Sequence, residues 1–348
     1  MQVTAASEAD ILACQFHRWY GARVGEHLAS LSLKSVVLPL PAAFMAYLSS
    51  DGIVLPSSAQ DLLGDDHISD DEDSAFRARG TGDDHDRDAS NRALAAPTFS
   101  ELTAAIASAI EELGGEVCPK TNWSAPLDAV WMNGGSLKCR HASEVYLLLK
   151  ASDRVIFDFE HMFDLCHSGV NVAAGDDQLK RAERRAPDTP VLVLRKWANL
   201  NPGMEFRLFV MDGLLVGACQ RDCTAFYEYL VLDQEQLEER LCCFFEDSLQ
   251  DKLPLRSCAV DVYVDRRSRV YVVDVNPFGE PTGALLFEWT ELLALSAPAE
   301  PLLRVVRGRA DCLASALGAA RGPVDVTQAP DFYKFMQICK QQHGGEDE

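Results

Sequence analysis

Positive charge, membrane-length apolar runs and glycine motifs for phosphate are all scarce in this chain. Its 32 lysines and arginines stand against 53 aspartates and glutamates, a formal net charge of −21 over 348 residues. Duplex nucleic acid and anionic membranes are polyanions and are repelled by such a balance, so neither is expected as a main partner. A basic patch on another protein suits it better. No apolar stretch reaches the roughly 20 residues that a membrane-spanning helix needs. The opening Met1–Gln15 has no basic stretch followed by an apolar run, so a secretory leader is not expected. The 11 cysteines are odd in number and none has Cys-x-x-Cys spacing. Neither a zinc ribbon nor a disulfide framework is indicated, and free thiols in a reducing, cytoplasmic setting are expected. Cys166, His167 and His161 form at most a fragment of a metal site and are better read as incidental.

Catalytic and nucleotide signatures are missing too. There is no P-loop, and no G-x-G-x-x-G follows a strand. Ser124 and Ser136 lack the G-x-S-x-G context, and Cys219 and Cys223 lack a partnering histidine. No catalytic residue is assigned, and covalent catalysis is not expected. Any bound nucleotide must have its phosphates held by side chains.

What is present supports a folded protein, since 47% of the residues are hydrophobic. Residues 1–55 read as the first part of one lobe, with an aromatic-bearing helix around Phe16 and Trp19 and a strand Ser35–Leu38 closed by Pro39 and Pro41. Residues 56–96 are an acidic insertion without apolar periodicity, expected to be disordered. A solvated spacer explains it best; a phosphorylation target at Ser69 and Ser74 is the sharper alternative. Residues 97–190 continue the first lobe. Thr98–Glu101 has capping-box spacing, Phe99, Leu102, Ile106, Ile110 and Leu113 repeat at helical intervals, and Gly114-Gly115 stops the helix. A strand then delivers Lys120, a helix starts at Ser143, and 168–190 is a loop. Residues 191–295 form a second lobe. It has a buried strand Val191–Leu194, a hairpin turning at Asp212-Gly213, a helix over 234–249, and a second hairpin turning at 265–269. Residues 296–348 are an extension with a short helix near Phe332 and an acidic tail. Hairpins without regular βαβ alternation indicate an α+β fold with antiparallel sheets.

The second hairpin carries the chemistry. Asp274 and Asn276 are two apart on a strand and share a face, which Asp261 joins if the hairpin loop has an even number of residues. Val260, Val262, Val264, Val273 and Val275 would then fill the other face. Two carboxylates and an amide oxygen suit Mg²⁺, which takes few protein ligands and completes its shell with phosphate and water. Lys120, Lys196, Arg207 and Arg221 sit in or beside apolar runs, where cations could meet phosphates. Glu205 shares a face with Arg207 and could orient it or contact a ribose. The main chain after Leu194 could meet an adenine edge, with Trp197 as an apolar wall. Each of these residues also has an ordinary explanation as surface charge or core.

Several segments resemble the cell division cycle protein 123 family. They are Cys14-Gln15-Phe16 with Trp19-Tyr20, Ser35–Pro41, Pro119-Lys120-Thr121-Asn122-Trp123-Ser124-Ala125-Pro126, Leu194–Trp197, Pro202–Arg207, Gln220–Asp222 and Asp274-Val275-Asn276-Pro277-Phe278-Gly279. The resemblance implies an ATP-grasp-like fold with ATP and Mg²⁺ between two lobes. It also implies an assembly chaperone that binds the γ subunit of translation initiation factor 2, with a link to cell proliferation. On matching positions, Lys120, Asn122, Trp123, Ser124 and Ala125 would border the nucleotide, and Lys196, Trp197 and Ala198 would form the hinge. Glu205, Arg207 and Arg221 would reach ribose and phosphates, and Asp261, Asp274 and Asn276 would hold metal. Where the family has Arg-Asp after Ser-Ala-Pro, this chain has Leu127-Asp128 and so lacks one cation. An ATP-dependent carboxylate–amine ligase and a degenerate scaffold without nucleotide are the alternatives; no pocket for a carboxylate substrate is identifiable. The strong negative charge favours a monomer.

Overall fold

Two β-sheets sharing an apolar core organise the chain. The computed structural model describes residues 6–21, 25–60, 98–163, 166, 187, 189–279, 282–295, 298–299 and 302–312. The acidic stretch from 61, Ser69 and Ser74, His167, most of the 168–190 loop and the helix near Phe332 lie outside the described residues.

Three short helices open the chain, α1 (Glu8–Ala13), α2 (Phe16–Tyr20) and α3 (Gly25–Ser30). β1 (Ser35–Pro39) follows, then α4 (Ala42–Ser49), α5 (Ser57–Gln60) and α6 (Ser100–Glu112). The α6 stripe is as expected, with Leu102, Ile106, Ile110 and Leu113 buried and Gly114 and Gly115 at φ 97° and 90°. Its start differs. Phe99 is the N-cap and no side chain caps it, because the Thr98 hydroxyl is hydrogen-bonded to Ser57 Oγ at 2.9 Å. β2 (Val117–Lys120), α7 (Ala142–Lys150), α8 (Asp153–Glu160) and β3 (Val191–Lys196) complete the first half.

The first sheet has the order β1-β3-β2, antiparallel throughout. The expected boundary at 191 puts β3 in the second lobe; its pairing makes it the central strand of the first sheet. Its continuous apolar run has a physical reason. Leu192 and Leu194 bury against the helical core of α4, α6 and α7, while Val191 and Val193 bury in the core of the second sheet. A strand covered on both faces does not alternate.

The second sheet has the order β7-β6-β4-β5-β8, with β4 (Glu205–Met211), β5 (Leu214–Gln220), β6 (Cys258–Val264), β7 (Val270–Pro277) and β8 (Leu303–Arg304). The β4–β5 turn holds Asp212 and Gly213 at φ 52° and 85°, the backbone of a type I′ hairpin. The sheet is antiparallel except at its edge, where β8 pairs with β5 in parallel. Leu237, Leu241, Phe245 and Leu249 of the 234–249 segment cover one face together with Phe16 and Trp19. Phe287 and Trp289 cover part of the other, against Phe209 and Val216. The α+β class with largely antiparallel sheets expected from the sequence is the one observed.

The β6–β7 pairing corrects one expectation. Val264 pairs with Val270 around a five-residue loop, an odd number, so a regular ladder would set Val273 opposite Asp261. A bulge after Asp261 removes this mismatch, and Asp261 pairs with Asp274. The core valines of β7 are therefore Val270, Val272 and Val275, and Val273 is the extra residue.

Candidate functional site

Alternation along β4 sends Phe206 and Leu208 into the shared core and leaves Glu205 and Arg207 on the opposite face. Pairing continues this row across the sheet, from Arg207 to Asp261 and from Asp261 to Asp274, with Asn276 opposite Ala259. Asp261 is 2% exposed and receives Arg207 in a fork, Nε at 2.7 Å on one oxygen and Nη2 at 2.9 Å on the other. Arg221 Nε and Asn276 Nδ2 reach the second oxygen at 3.1 and 3.3 Å. Burial alone would raise the Asp261 pKa, but Arg207 and Arg221 outweigh it and hold the carboxyl at about 2. Arg221 Nη1 also meets Glu205 at 3.3 Å, and burial raises the Glu205 pKa despite that neighbour.

The first sheet closes this row. Lys120, at the end of β2, donates to Asp274 Oδ2 at 2.7 Å and is 4% exposed. Burial pulls its pKa down, and Asp274 works against that pull. Arg195 on β3 donates to the carbonyl of Val273, the bulge residue, at 2.8 Å. Lys120, Arg195, Arg207 and Arg221 thus surround Glu205, Asp261 and Asp274, a surplus of one positive charge inside a protein of net charge −21.

The segment after Lys120 is held from α8. Asp158, fully buried, accepts Ser124 N–H at 2.8 Å, Ser124 Oγ–H at 2.7 Å and the Thr121 hydroxyl. Burial raises its pKa, and these donors oppose the rise. Asn122 is spent structurally, accepting from Val191 N–H at 2.9 Å and donating to Thr189 O at 2.8 Å. Trp123 donates its indole N–H to Ile11 O at 2.9 Å, and Ala125 O accepts Leu127 N–H at 2.8 Å. Leu127, where a cation was missed, is 47% exposed, and Asp128 accepts the Ser152 hydroxyl at 2.6 Å and Arg154 N–H at 3.1 Å at the start of α8.

Lys120, Glu205, Arg207, Arg221, Asp261, Asp274 and Asn276 are therefore brought together, and Asn122–Ala125 adjoin them. Lys196 is not in this network. It pairs with Val117 and follows Arg195, so it projects from the opposite face of β3, with its ammonium beside Gly114. The Trp197 N–H is already bonded to Glu116 O at 3.0 Å, and its ring lies 5.5 Å from Lys138 Nζ.

Would this set take ATP and Mg²⁺? Asp261, Asp274 and Asn276 offer hard oxygen donors of the kind Mg²⁺ prefers. In the protein by itself both carboxylates are paired with the cations that a phosphate would also attract. The donor chemistry fits. Among the described residues, no group of three or more His, Cys, Asp or Glu residues stands ready as a metal cage.

A family model described as D123 matches residues 25–330. The chain belongs to the D123 family. It is 38% identical over 302 residues to a "Translation initiation factor eIF2 assembly protein" of Sclerotinia sclerotiorum, covering 86% of this chain and 68% of that one. A Xenopus tropicalis protein of the same description is 37% identical over 289 residues, covering 81% and 78%. The chain spans about two thirds of the length of the fungal relatives. C-terminally truncated Cdc123 of Schizosaccharomyces pombe superimposes with a TM-score of 0.65 at 30% identity, covering 87% of this chain and 99% of that one.

Two residues of this D123-family site escaped sequence reasoning. Arg195 neighbours a lysine and an apolar run, and only strand parity separates its role from that of Lys196. Asp158 looks like one of the exposed acids of an amphipathic helix, and no local pattern reveals that it is buried. Replacing Asp158 by alanine strands four donors, from Thr121, Trp123 and Ser124, and should cost about 3 kcal/mol or more, seen as a lower urea midpoint. Asparagine, which keeps one acceptor, should cost less.

Proposed function

We propose that this D123-family protein binds ATP with Mg²⁺ between its two sheets. It uses the bound state as an assembly chaperone for translation initiation factor 2, gripping the γ subunit. The observation that carries the nucleotide part is the buried row in which Lys120, Arg207 and Arg221 already engage Asp274, Asp261 and Glu205. The names of the relatives support the factor it serves.

Lys120, Arg207 and Arg221 are the groups to hold phosphate oxygens, and Asp261, Asp274 and Asn276 the groups to hold the metal. Bound Mg²⁺ supplies positive charge that offsets the phosphates. Glu205 would meet a ribose hydroxyl, and Trp123–Ala125 would border the nucleotide. The main chain of Lys196, Trp197 and Ala198 would supply the hinge to the adenine edge through the groups left after Lys196 N–H bonds Lys34 O, Trp197 N–H bonds Glu116 O and Ala198 O accepts Leu200 N–H. In the protein alone, carboxylates and cations neutralise one another. With ATP and Mg²⁺ bound, Asp261, Asp274 and Asn276 would turn to the metal and Lys120, Arg207 and Arg221 to the phosphates, which would fix the two sheets relative to one another. The protein acts in the cytoplasm as a monomer, and its negative charge favours a basic surface on the γ subunit.

Asp274→Ala tests the metal role. Loss of even a supporting ligand costs roughly 10–100-fold in metal affinity. The variant leaves the buried Lys120 ammonium without its carboxylate, so its melting curve is recorded first. Calorimetric titration of the folded variant with ATP and Mg²⁺ should show at least that loss, and wild-type affinity would refute the assignment. Capture of purified γ subunit should succeed with wild-type protein and strengthen with ATP. Steady ADP release in the presence of an amine acceptor would favour the ligase instead.

A further inference from the structure

We infer that Phe16 is a positioning residue of this site: the face of its ring holds Lys120 and Arg195 side by side against the bulge of β7. The inference rests on the nucleotide function proposed above and extends it to a residue outside the charged row.

Lys120 Nζ lies 5.1 Å from the Phe16 ring centroid, and the Arg195 guanidinium carbon lies 5.2 Å from it. Both cations project from the same face of the first sheet, because Lys120 pairs with Val193 and Cys118 with Arg195. Two like charges so placed repel, and Lys120 has almost no water to screen it. The negative face of an aromatic ring is one of the few apolar surfaces that attracts a buried cation. Beyond the ring, the two groups grip consecutive residues of β7: Lys120 takes the Asp274 carboxylate and Arg195 takes the Val273 carbonyl.

Phe16 itself is held on several sides. It is fully buried, stacks on Tyr20 at 4.7 Å and meets Trp19 edge-on at 4.6 Å. Its N–H is bonded to Asn122 O at 2.8 Å, which ties the ring to the strand end that carries Lys120. A fixed ring therefore sets where both cations stand before a ligand arrives. Preorganised charge binds an anion better than charge that must first be gathered.

The test is graded fluorination of Phe16 in the full chain, with mono-, di- and trifluorophenylalanine incorporated at that position. Fluorine withdraws the ring's negative face and changes its size little. ATP–Mg²⁺ affinity, measured by calorimetry, should fall stepwise with fluorine count, reaching about tenfold for the trifluoro ring. The melting temperature is recorded for each form. Phe16→Leu, which keeps apolar bulk and removes the ring, should show a similar loss. A flat series in a protein that binds ATP overturns the role of the ring and leaves the nucleotide function standing. Wild-type protein that fails to bind ATP overturns both.

Discussion

Asp261→Ala is expected to cost about 3–5 kcal/mol of folding stability, enough to unfold much of a typical domain. The carboxylate is 2% exposed and is the common partner of Arg207 and Arg221. Arg207 is itself 7% exposed, with Nη1 donating to Gly283 O at 2.7 Å. Without Asp261 a guanidinium is left buried and unpaired, and that uncompensated charge is the source of the cost. Arg221, whose side chain is 39% exposed, can turn to water and adds little. The double variant Asp261→Leu with Arg207→Met should recover most of the loss, because a buried ion pair replaced by apolar groups of similar size is often neutral. Guanidinium denaturation of the two single variants and the double gives the coupling directly. If the double variant is no more stable than Asp261→Ala, the stranded-charge explanation is wrong.

The same residue gives an acid limb. Its carboxyl titrates at about 2 in the fold, against about 3.9 for an ordinary aspartate. A lowered folded-state pKa stabilises the protein fully above the unfolded value, and that stabilisation is lost as the pH falls from about 3.9 towards 2. Stability of the wild type should decline across that window, and the Asp261→Leu, Arg207→Met variant should lose this part of the decline.

Lys120→Met should have the opposite profile, with nucleotide affinity lost and the fold kept. Methionine matches the volume of the lysine stem and needs no hydration, whereas burial disfavours the ammonium. The partner left behind, Asp274, has a side chain 20% exposed and retains access to water. The stability change should therefore stay near about 1 kcal/mol, well below that of Asp261→Ala. ATP affinity should fall about 10–100-fold, since a hydrogen bond to a charged group contributes roughly 1.5–3 kcal/mol. Calorimetry and thermal melting on the same sample separate the two effects. Retained affinity would remove Lys120 from the site, and with it the first sheet's share in binding phosphate.

Elements whose pattern is local were legible in the sequence. The stripe of α6, the Asp212-Gly213 turn, the apolar run of β3 and the paired Asp274 and Asn276 all follow from periodicity and turn chemistry, and each stands where those rules put it. The strand parity of Glu205 and Arg207 was likewise readable, and the family motifs identified the lysine-bearing strand.

Tertiary structure alone decided three matters, all for the same reason: they depend on how one segment meets another distant in sequence. The odd loop of β6–β7 would have turned Asp261 away from Asp274, and a bulge at Val273 restored the match; bulges have no periodic signature. Parity on β3 depends on which face meets the second sheet, and with both faces apolar the sequence cannot choose between Arg195 and Lys196. Asp158 and Phe16 act on Ser124 and Lys120 across separations that no local rule spans. Residue types and their spacing fixed the inventory of charges, and packing fixed which charge faces which.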